Sequence, residues 1–321
     1  MSSVYLVAQL PAGLAPARLD ALPALRQAFS GPRLLRAAGG AEAWWLARFG
    51  IARQADWPVA PLRVAAPGER YWLCADPVHL HVDGDAVLLD AFAADRLDAD
   101  GALRMAAALA PHFAAEDIVL AAASPREWVL GFAAPQNVST HSPCAADGRS
   151  IEPFLPAGAD AGRLKRLATE AQMLLFAAED AAPHAAINAL WLWGGGVAVD
   201  AVAAHPDCHV WSDAAHLREL ARLSQARHDT PRLEAITEAL RGAGQQTHLI
   251  DAGRGPDDPD AWPAWLASHW LAPLRTATRA SATALNLVLA GAQRHAEAPL
   301  YRFDALAWLR RGSLGTILDA T

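Results

Sequence analysis

The chain has 321 residues, of which 53% are hydrophobic and 19% charged, a composition that allows a sizeable core and excludes a disordered chain. Its formal net charge of −7 opposes non-specific binding to nucleic acid and therefore disfavours a nucleic-acid partner. No stretch approaches the about 18 apolar residues of a membrane span, and the N-terminus lacks the basic region of a signal peptide. Three widely separated cysteines fit a reducing compartment. We therefore expect a cytoplasmic protein with no membrane partner.

The first half of the chain alternates apolar runs with Gly-rich and Pro-rich breaks, which predicts short strands and helices. The clearest signal is Asp83-Gly84-Asp85 between two apolar runs, which predicts a hairpin turn. In chain order we expect a strand (Val4–Leu10), a helix (17–29), a helix ending at Gly50, a β-hairpin (71–92), a helix (101–113), two strands (Asp117–Ala121 and Trp128–Phe132) and a polar loop (135–160).

The second half predicts strands that alternate with helices, a pattern typical of a parallel or mixed sheet flanked by helices. Ser212 or Asp213 is the expected cap of one of these helices. The predicted elements are an amphipathic helix (161–178), a strand (Ile187–Trp193) running into Gly194-Gly195-Gly196, a strand (His209–Trp211), a helix to about Leu223, a helix from Thr230-Pro231 to Gly242, a strand (Thr247–Asp251), a Trp-rich helix (261–278), a strand (Leu285–Ala290) and a last helix near Phe303–Arg311.

Several segments resemble a known family in the same chain order. INALWLWGGG (residues 187–196) resembles the strand and glycine turn of archaeal-type cofactor-independent phosphoglycerate mutases and related homoserine-kinase-like proteins. WWLARFG (44–50), ADPVHLHVDGDAVLLDAF (75–92) and VWSDAAHLRELARL (210–223) extend the resemblance. The pair ADPVHL and LWLWGGG is more similar still to bacterial RpfE-type regulatory proteins, which are also phosphoglycerate-mutase-like. The resemblance implies an alkaline-phosphatase-superfamily core.

The catalytic pattern of that superfamily is missing at three positions. Its catalytic members use two divalent metals, held by acids and histidines at strand ends. The resemblance implies an Asp after the first strand, where this chain has Gln9-Leu10, and an Asp-x-x-x-His motif, where Asp251 has no matching His. An Asp-His pair is implied after a later strand, where the chain has Ala290-Gly291. We expect a pseudoenzyme without cofactor; the alternative is an enzyme that uses a divalent metal such as Mn or Mg.

Other groups of residues leave alternatives open. His79 and His81 share one face of a predicted strand and could bind metal with Cys74 or Asp76, although two polar residues on a half-exposed strand explain them more simply. His205, Cys208 and His209 lack the second ligand pair that a zinc site needs. The three glycines after a strand are either a tight turn or an anion-binding loop.

The expected fold class is α/β, a three-layer α/β/α sandwich with an alkaline-phosphatase-like core and a smaller inserted α+β subdomain. We expect residues 1–95 together with 186–321 to form the core and residues 96–185 to form the subdomain. The expected function is non-catalytic regulation or binding, with an unknown protein partner or a small phosphorylated metabolite as ligand. In the alternative, the chain is a metal-dependent phosphoglycerate mutase or phosphatase-like enzyme. The residues expected to line the ligand cleft are Asp76, His79, Asn188, Trp193, Gly194 and Gly195.

Overall fold

A computed structural model describes most of the chain as strands and helices in two compact units. The described residues are 2–15, 18, 19, 25, 34–96, 98–122, 124–179, 187–199, 202–242, 246–281 and 283–300. The predicted helix near Phe303–Arg311 lies outside them, as does almost all of the predicted helix over 17–29. None of the described helices has the length and apolar character that a bilayer crossing requires.

The described strands are, in chain order, β1 (Ser3–Gln9), β2 (Leu35–Ala38), β3 (Tyr71–Asp83), β4 (Ala86–Asp90), β5 (Val119–Ala122), β6 (Trp128–Phe132), β7 (Ala189–Gly196), β8 (Cys208–Trp211), β9 (Arg227–Asp229), β10 (Thr247–Asp251), β11 (Ala284–Ala290) and β12 (Arg294–Pro299). The α-helices are α1 (Ala41–Arg48), α2 (Ala99–Ala114), α3 (Pro143–Ala146), α4 (Ala161–Glu179), α5 (Ala215–Leu223), α6 (Leu233–Arg241), α7 (Trp262–Trp265) and α8 (Ala272–Ala280). A π-helical segment (Leu266–Leu271) joins α7 to α8, and short 3-10 turns lie at Ala60–Arg63, Ala93–Arg96 and Glu152–Phe154.

The first unit comprises residues 1–50 and 202–321, and its sheet has the order β2-β12-β11-β1-β10-β8-β9. The five strands from β11 to β9 are parallel, and β12 and β2 add an antiparallel edge. This mixed sheet confirms the predicted α/β class. The edge strands β2 and β9, and β12 next to β2, were not predicted, because they are polar or Ala-rich and lack a clear apolar alternation.

Helices cover both faces of this sheet. One face packs against α6, the π-helical segment and α8 through a shared apolar cluster that contains Leu6, Ile250, Leu287, Ile236, Leu266 and Leu274. Tyr5 alternates with Leu6 along β1 and therefore points to the opposite face. There α1 packs on the sheet, with the Trp44 ring 5.8 Å from the ring of Tyr5. The first unit is thus a three-layer α/β/α arrangement, as expected.

The second unit comprises residues 51–201 and is built on antiparallel strands. The long strand β3 pairs with β6 near its start, with β7 along its middle and with β4 near its end. Helices α2 and α4 pack on one face, where Leu73, Leu130 and Leu192 join Leu109 and Leu167 in one apolar cluster. The predicted hairpin is confirmed, and Gly84 has the positive φ of +62° that its turn requires.

This division differs from the expected one. Residues 51–95 and strand β7 were expected in the core, but they belong to the second unit. The reason is that β3 is the only described strand with which β7 pairs, so these two strands cannot be assigned to different units. A second difference concerns α5, which begins after Ala214 without a side-chain cap, so neither Ser212 nor Asp213 caps it.

A stack of aromatic rings lies on the α6-facing side of the first sheet. The His209 ring lies 3.8 Å from the Trp211 ring, and the Trp211 indole N–H donates to Nδ1 of His248 at 3.2 Å. Burial, together with the neighbouring His209 and Arg227, lowers the pKa of His248 to about 4. The Trp211 donor also requires an unprotonated Nδ1, so the folded chain holds His248 neutral.

His248 should therefore make stability depend on pH. Its folded-state pKa of about 4 lies below the ordinary value of 6.5. Between these two pH values the unfolded chain therefore binds a proton at His248 that the folded chain does not bind. The contribution of His248 to the free energy of unfolding is fully present above pH 6.5 and is lost as the pH falls towards 4. The loss from this group is about 3 kcal/mol. Urea unfolding at a series of pH values should show this slope in the wild type, and His248→Gln should reduce it. An unchanged slope in the variant would refute the assignment.

Candidate functional site

All six residues expected to line a cleft lie in the second unit. Asp76 and His79 are on β3, Asn188 directly precedes β7, and Trp193, Gly194 and Gly195 are in β7. The antiparallel register places Cys74 opposite Trp193 and Asp76 opposite Trp191. The two segments ADPVHL and LWLWGGG, far apart in sequence, are therefore adjacent strands.

Asp76 is the centre of a buried cluster. Its Oδ1 accepts a hydrogen bond from the Arg63 guanidinium at 2.5 Å, and its Oδ2 accepts one from the Trp193 indole N–H at 2.7 Å. The Arg63 guanidinium also lies 5.1 Å from the centre of the Trp193 ring. The side chains of Arg63 and Asp76 are only 6% and 9% exposed. Asp76 and Trp193 do come together, but both carboxylate oxygens are already bonded within the protein.

The electrostatics of this cluster make it a structural ion pair. Burial raises the pKa of Asp76, although Arg63 and the two hydrogen bonds oppose this. Burial alone would lower the pKa of Arg63, but Asp76, Cys74 and Glu127 together outweigh burial and raise that pKa. Burial also raises the pKa of the Cys74 thiol well above its usual value, so the thiol stays protonated and is a poor nucleophile or metal ligand.

Sequence reasoning missed Arg63. It lies in a 3-10 turn between two Pro-containing loops, where one arginine gives no periodic signal. A buried Asp on an apolar strand was the available clue, because a buried carboxylate requires a charged or hydrogen-bonding partner.

Asn188 does not present its amide to a ligand, contrary to expectation. Its Oδ1 accepts from the Leu80 backbone N–H at 2.7 Å, and its Nδ2 donates to the Leu80 carbonyl at 2.8 Å. The side chain thus continues the β3–β7 ladder. The ring of His79 stacks 6.3 Å from that of His81, so the two histidines do share a face.

The glycines are not an anion-binding loop, because they form the last part of β7 and are buried. The Gly194 N–H donates to the Thr140 hydroxyl at 3.0 Å, and that hydroxyl donates to the buried Asp56. At Gly195, a Cβ atom would lie 2.1 Å from the Tyr71 hydroxyl oxygen. Close packing by neighbouring side chains therefore explains these glycines, as opposed to approach by a ligand.

The first unit offers a second place for a site, because parallel α/β sheets bind ligands at the carboxyl ends of their strands. There β1 ends at Gln9, β11 ends at Ala290, and β10 ends at Asp251. Asp251 accepts hydrogen bonds from the Ser212 hydroxyl at 2.8 Å and from the Gly253 N–H at 3.0 Å. Burial raises its pKa, and the nearby Asp213 raises it further, while the two hydrogen bonds oppose both.

These donors do not fit the metal pair that the family resemblance implies. Across the residues that the structure describes, no three His, Cys, Asp or Glu side chains converge so that they could hold a metal ion. Two divalent cations in an in-line phosphoryl transfer need several oxygen and imidazole ligands each. At this edge Asp251 has a serine and a backbone amide as its partners.

Two solved structures align with most of this chain, and the first of them supports the fold. The structure of the PH0037 protein from Pyrococcus horikoshii aligns with a TM-score of 0.50 at 12% identity, over 97% of this chain and 91% of that chain. The cofactor-independent phosphoglycerate mutase from Thermoplasma acidophilum DSM 1728 aligns with a TM-score of 0.39 at 12% identity, over 95% and 94%. No protein-family model and no curated protein sequence matches the chain. At 12% identity, the first likeness establishes a shared fold and no activity.

Breaking the buried ion pair should be costly. Asp76→Ala would leave the buried Arg63 charge with only Glu127, whose Oε1 lies 3.9 Å from the Arg63 Nε, and we expect a loss of about 3–5 kcal/mol in the free energy of unfolding. The matched control is Arg126→Ala, which removes a surface partner of Asp95 and should cost at most about 1 kcal/mol. Urea unfolding followed by tryptophan fluorescence measures both. Equal effects of the two variants would show that the Asp76 pair is not structural.

Adding a methyl group at Gly195 should test the packing of β7. Gly195→Ala would push a Cβ into the buried Tyr71, with an expected cost of about 1–3 kcal/mol. Gly162→Ala, in helix α4 with open space around it, should instead stabilise by about 0.5–1 kcal/mol. Thermal unfolding of the two variants should shift in opposite directions. A neutral Gly195→Ala would mean that β7 leaves room for a ligand after all.

Proposed function

We propose that the chain is a non-catalytic regulatory protein on a phosphoglycerate-mutase-like scaffold, similar in role to the bacterial, cytoplasmic RpfE-type regulators. The observation that carries the proposal is the state of Asp251, the acid at the carboxyl edge of the parallel sheet. Both of its oxygens accept hydrogen bonds within the protein, and burial raises its pKa. A carboxyl group in that state is a poor ligand for a hard cation.

The neighbouring strand ends support the same proposal. A phosphatase or mutase of this kind needs acids and imidazoles from several strands to hold its metals. Gln9 and Ala290, which are directly paired in the sheet, supply neither. The proposal therefore assigns this edge no catalytic step.

A protein partner fits the described surface better than a phosphorylated metabolite does. Helix α4 exposes Met173 and Phe176, three residues apart on one side, with exposed fractions of 67% and 72%. Exposed methionine and phenylalanine side chains are typical of surfaces that contact other proteins. At the carboxyl edge of the first sheet, Asp213 adds negative charge beside Asp251, and this charge would repel a phosphate.

Catalysis and binding can be tested separately. We expect no interconversion of 3-phosphoglycerate and 2-phosphoglycerate in the presence of Mn²⁺ or Mg²⁺, and no stoichiometric metal by elemental analysis. Turnover by the wild type that is abolished in Asp251→Asn would establish the alternative, a metal-dependent enzyme.

The binding role can be tested by affinity purification from the source cells. Phe176→Glu should lose a partner that the wild type retains, because a charge at the centre of an apolar contact is costly to bury. Gln172→Glu, an exposed change on the same helix, should retain that partner. A thermal-shift screen with phosphorylated metabolites is the complementary measurement. Stabilisation by one of them, with no partner sensitive to Phe176→Glu, would favour a metabolite sensor instead.

A further inference from the structure

The first unit contains a cavity at the end of its sheet opposite to the edge that carries Asp251. Cys208 and Thr247 are the first residues of β8 and β10, and with the end of α1 they surround a volume of about 400 Å³. That volume lies within the range of roughly 300–1,000 Å³ that small-molecule sites occupy. The lining combines apolar, polar and charged side chains, chiefly Arg48, Phe49, Asp207, Cys208, Thr247 and Leu249.

Backbone hydrogen bonds fix the walls of this cavity. The Ala203 N–H donates to the Phe49 carbonyl at 2.9 Å, which attaches the wall to α1. The His205 N–H donates to the Ser224 carbonyl at 2.7 Å, and the Thr247 N–H donates to the Asp207 carbonyl at 3.0 Å. The wall is therefore tied to three separate elements. A cavity built in this way is formed before a ligand arrives, which lowers the cost of binding.

Two opposite charges, those of Arg48 and Asp207, line the cavity. The Arg48 guanidinium lies 4.3 Å from the centre of the Tyr5 ring, which orients it without neutralising it. Among the residues that the structure describes, neither Arg48 nor Asp207 forms an ion pair. The exposed Ala204 and Pro206 give the cavity an apolar part.

We propose that this cavity binds a small zwitterion of the amino-acid type. The ligand's carboxylate would contact Arg48, its ammonium group would contact Asp207, and its apolar side chain would contact Ala204 and Pro206. A simple organic acid would leave Asp207 unmatched, and a simple amine would leave Arg48 unmatched. The site goes beyond the proposed regulatory function, since it lies at the other end of the sheet and requires no protein partner.

The chemistry of Cys208 favours reversible binding over covalent capture. Burial raises the pKa of its thiol to about 11, although the Arg48 charge opposes this. At neutral pH the thiol is protonated, so it neither attacks a ligand nor competes with the ligand's carboxylate for Arg48.

The test uses the full chain and the twenty protein amino acids as probes, first by thermal shift and then by calorimetry on those that stabilise the fold. For the tightest binder, the analogues lacking the amino group or the carboxyl group should bind about tenfold more weakly. Arg48→Gln should remove the preference over the decarboxylated analogue, and Asp207→Asn should remove the preference over the analogue without an amino group. The control Arg218→Gln changes an exposed arginine on α5 and should leave both preferences intact.

Three results would overturn the proposal. The first is that none of the twenty amino acids stabilises or binds the wild type. The second is that the analogue without an amino group binds as tightly as its parent, which would make the ligand a simple acid. The third is that Arg48→Gln and Asp207→Asn bind the amino acid as the wild type does while circular dichroism shows them folded.

Discussion

An ion pair between the buried side chains of Asp76 and Arg63 joins three elements of the second unit. A charge withdrawn from water is tolerated only where hydrogen bonds and an opposite charge replace the lost hydration. Arg63 supplies the charge and Trp193 supplies a further donor, so the carboxylate connects a 3-10 turn, β3 and β7. The glycines that end β7 pack closely against other side chains, among them Tyr71 and Val59.

Asp251 in the first unit is a half-buried aspartate with a different environment. No cation among the described residues pairs with it, and a serine hydroxyl and a backbone amide are its hydrogen-bond donors. Burial raises the pKa of both aspartates, but for Asp76 a permanent positive charge opposes the effect. The same residue type thus serves as one half of an ion pair in one unit and as a hydrogen-bonded strand end in the other. Neither environment resembles that of a ligand to a divalent metal.

Sequence reasoning recovered the elements whose signals are local. The Asp-Gly turn at Gly84, the helix that ends at Gly50 and the strand Thr247–Asp251 all depend on residues within a few positions of one another. It failed where the decisive contact is distant in sequence. Nothing near INALWLWGGG indicates that this strand pairs with β3, so it was assigned to the wrong unit, and its glycines were interpreted as a loop. Arg63 could not be identified from the sequence either, because its role depends on contacts with Asp76 and Trp193 that no local pattern indicates.

The order of the units along the chain has a consequence for biosynthesis. In the first unit, β1 pairs with β11, so that Ser3 is opposite Ala284, while the second unit is one continuous stretch. During translation, β1 cannot pair with β10 and β11 until the ribosome has synthesised the long stretch of chain that separates them. The second unit can complete its antiparallel sheet much earlier. During that interval β1 exposes two unpaired edges, and chaperones that protect nascent strands would be most valuable then.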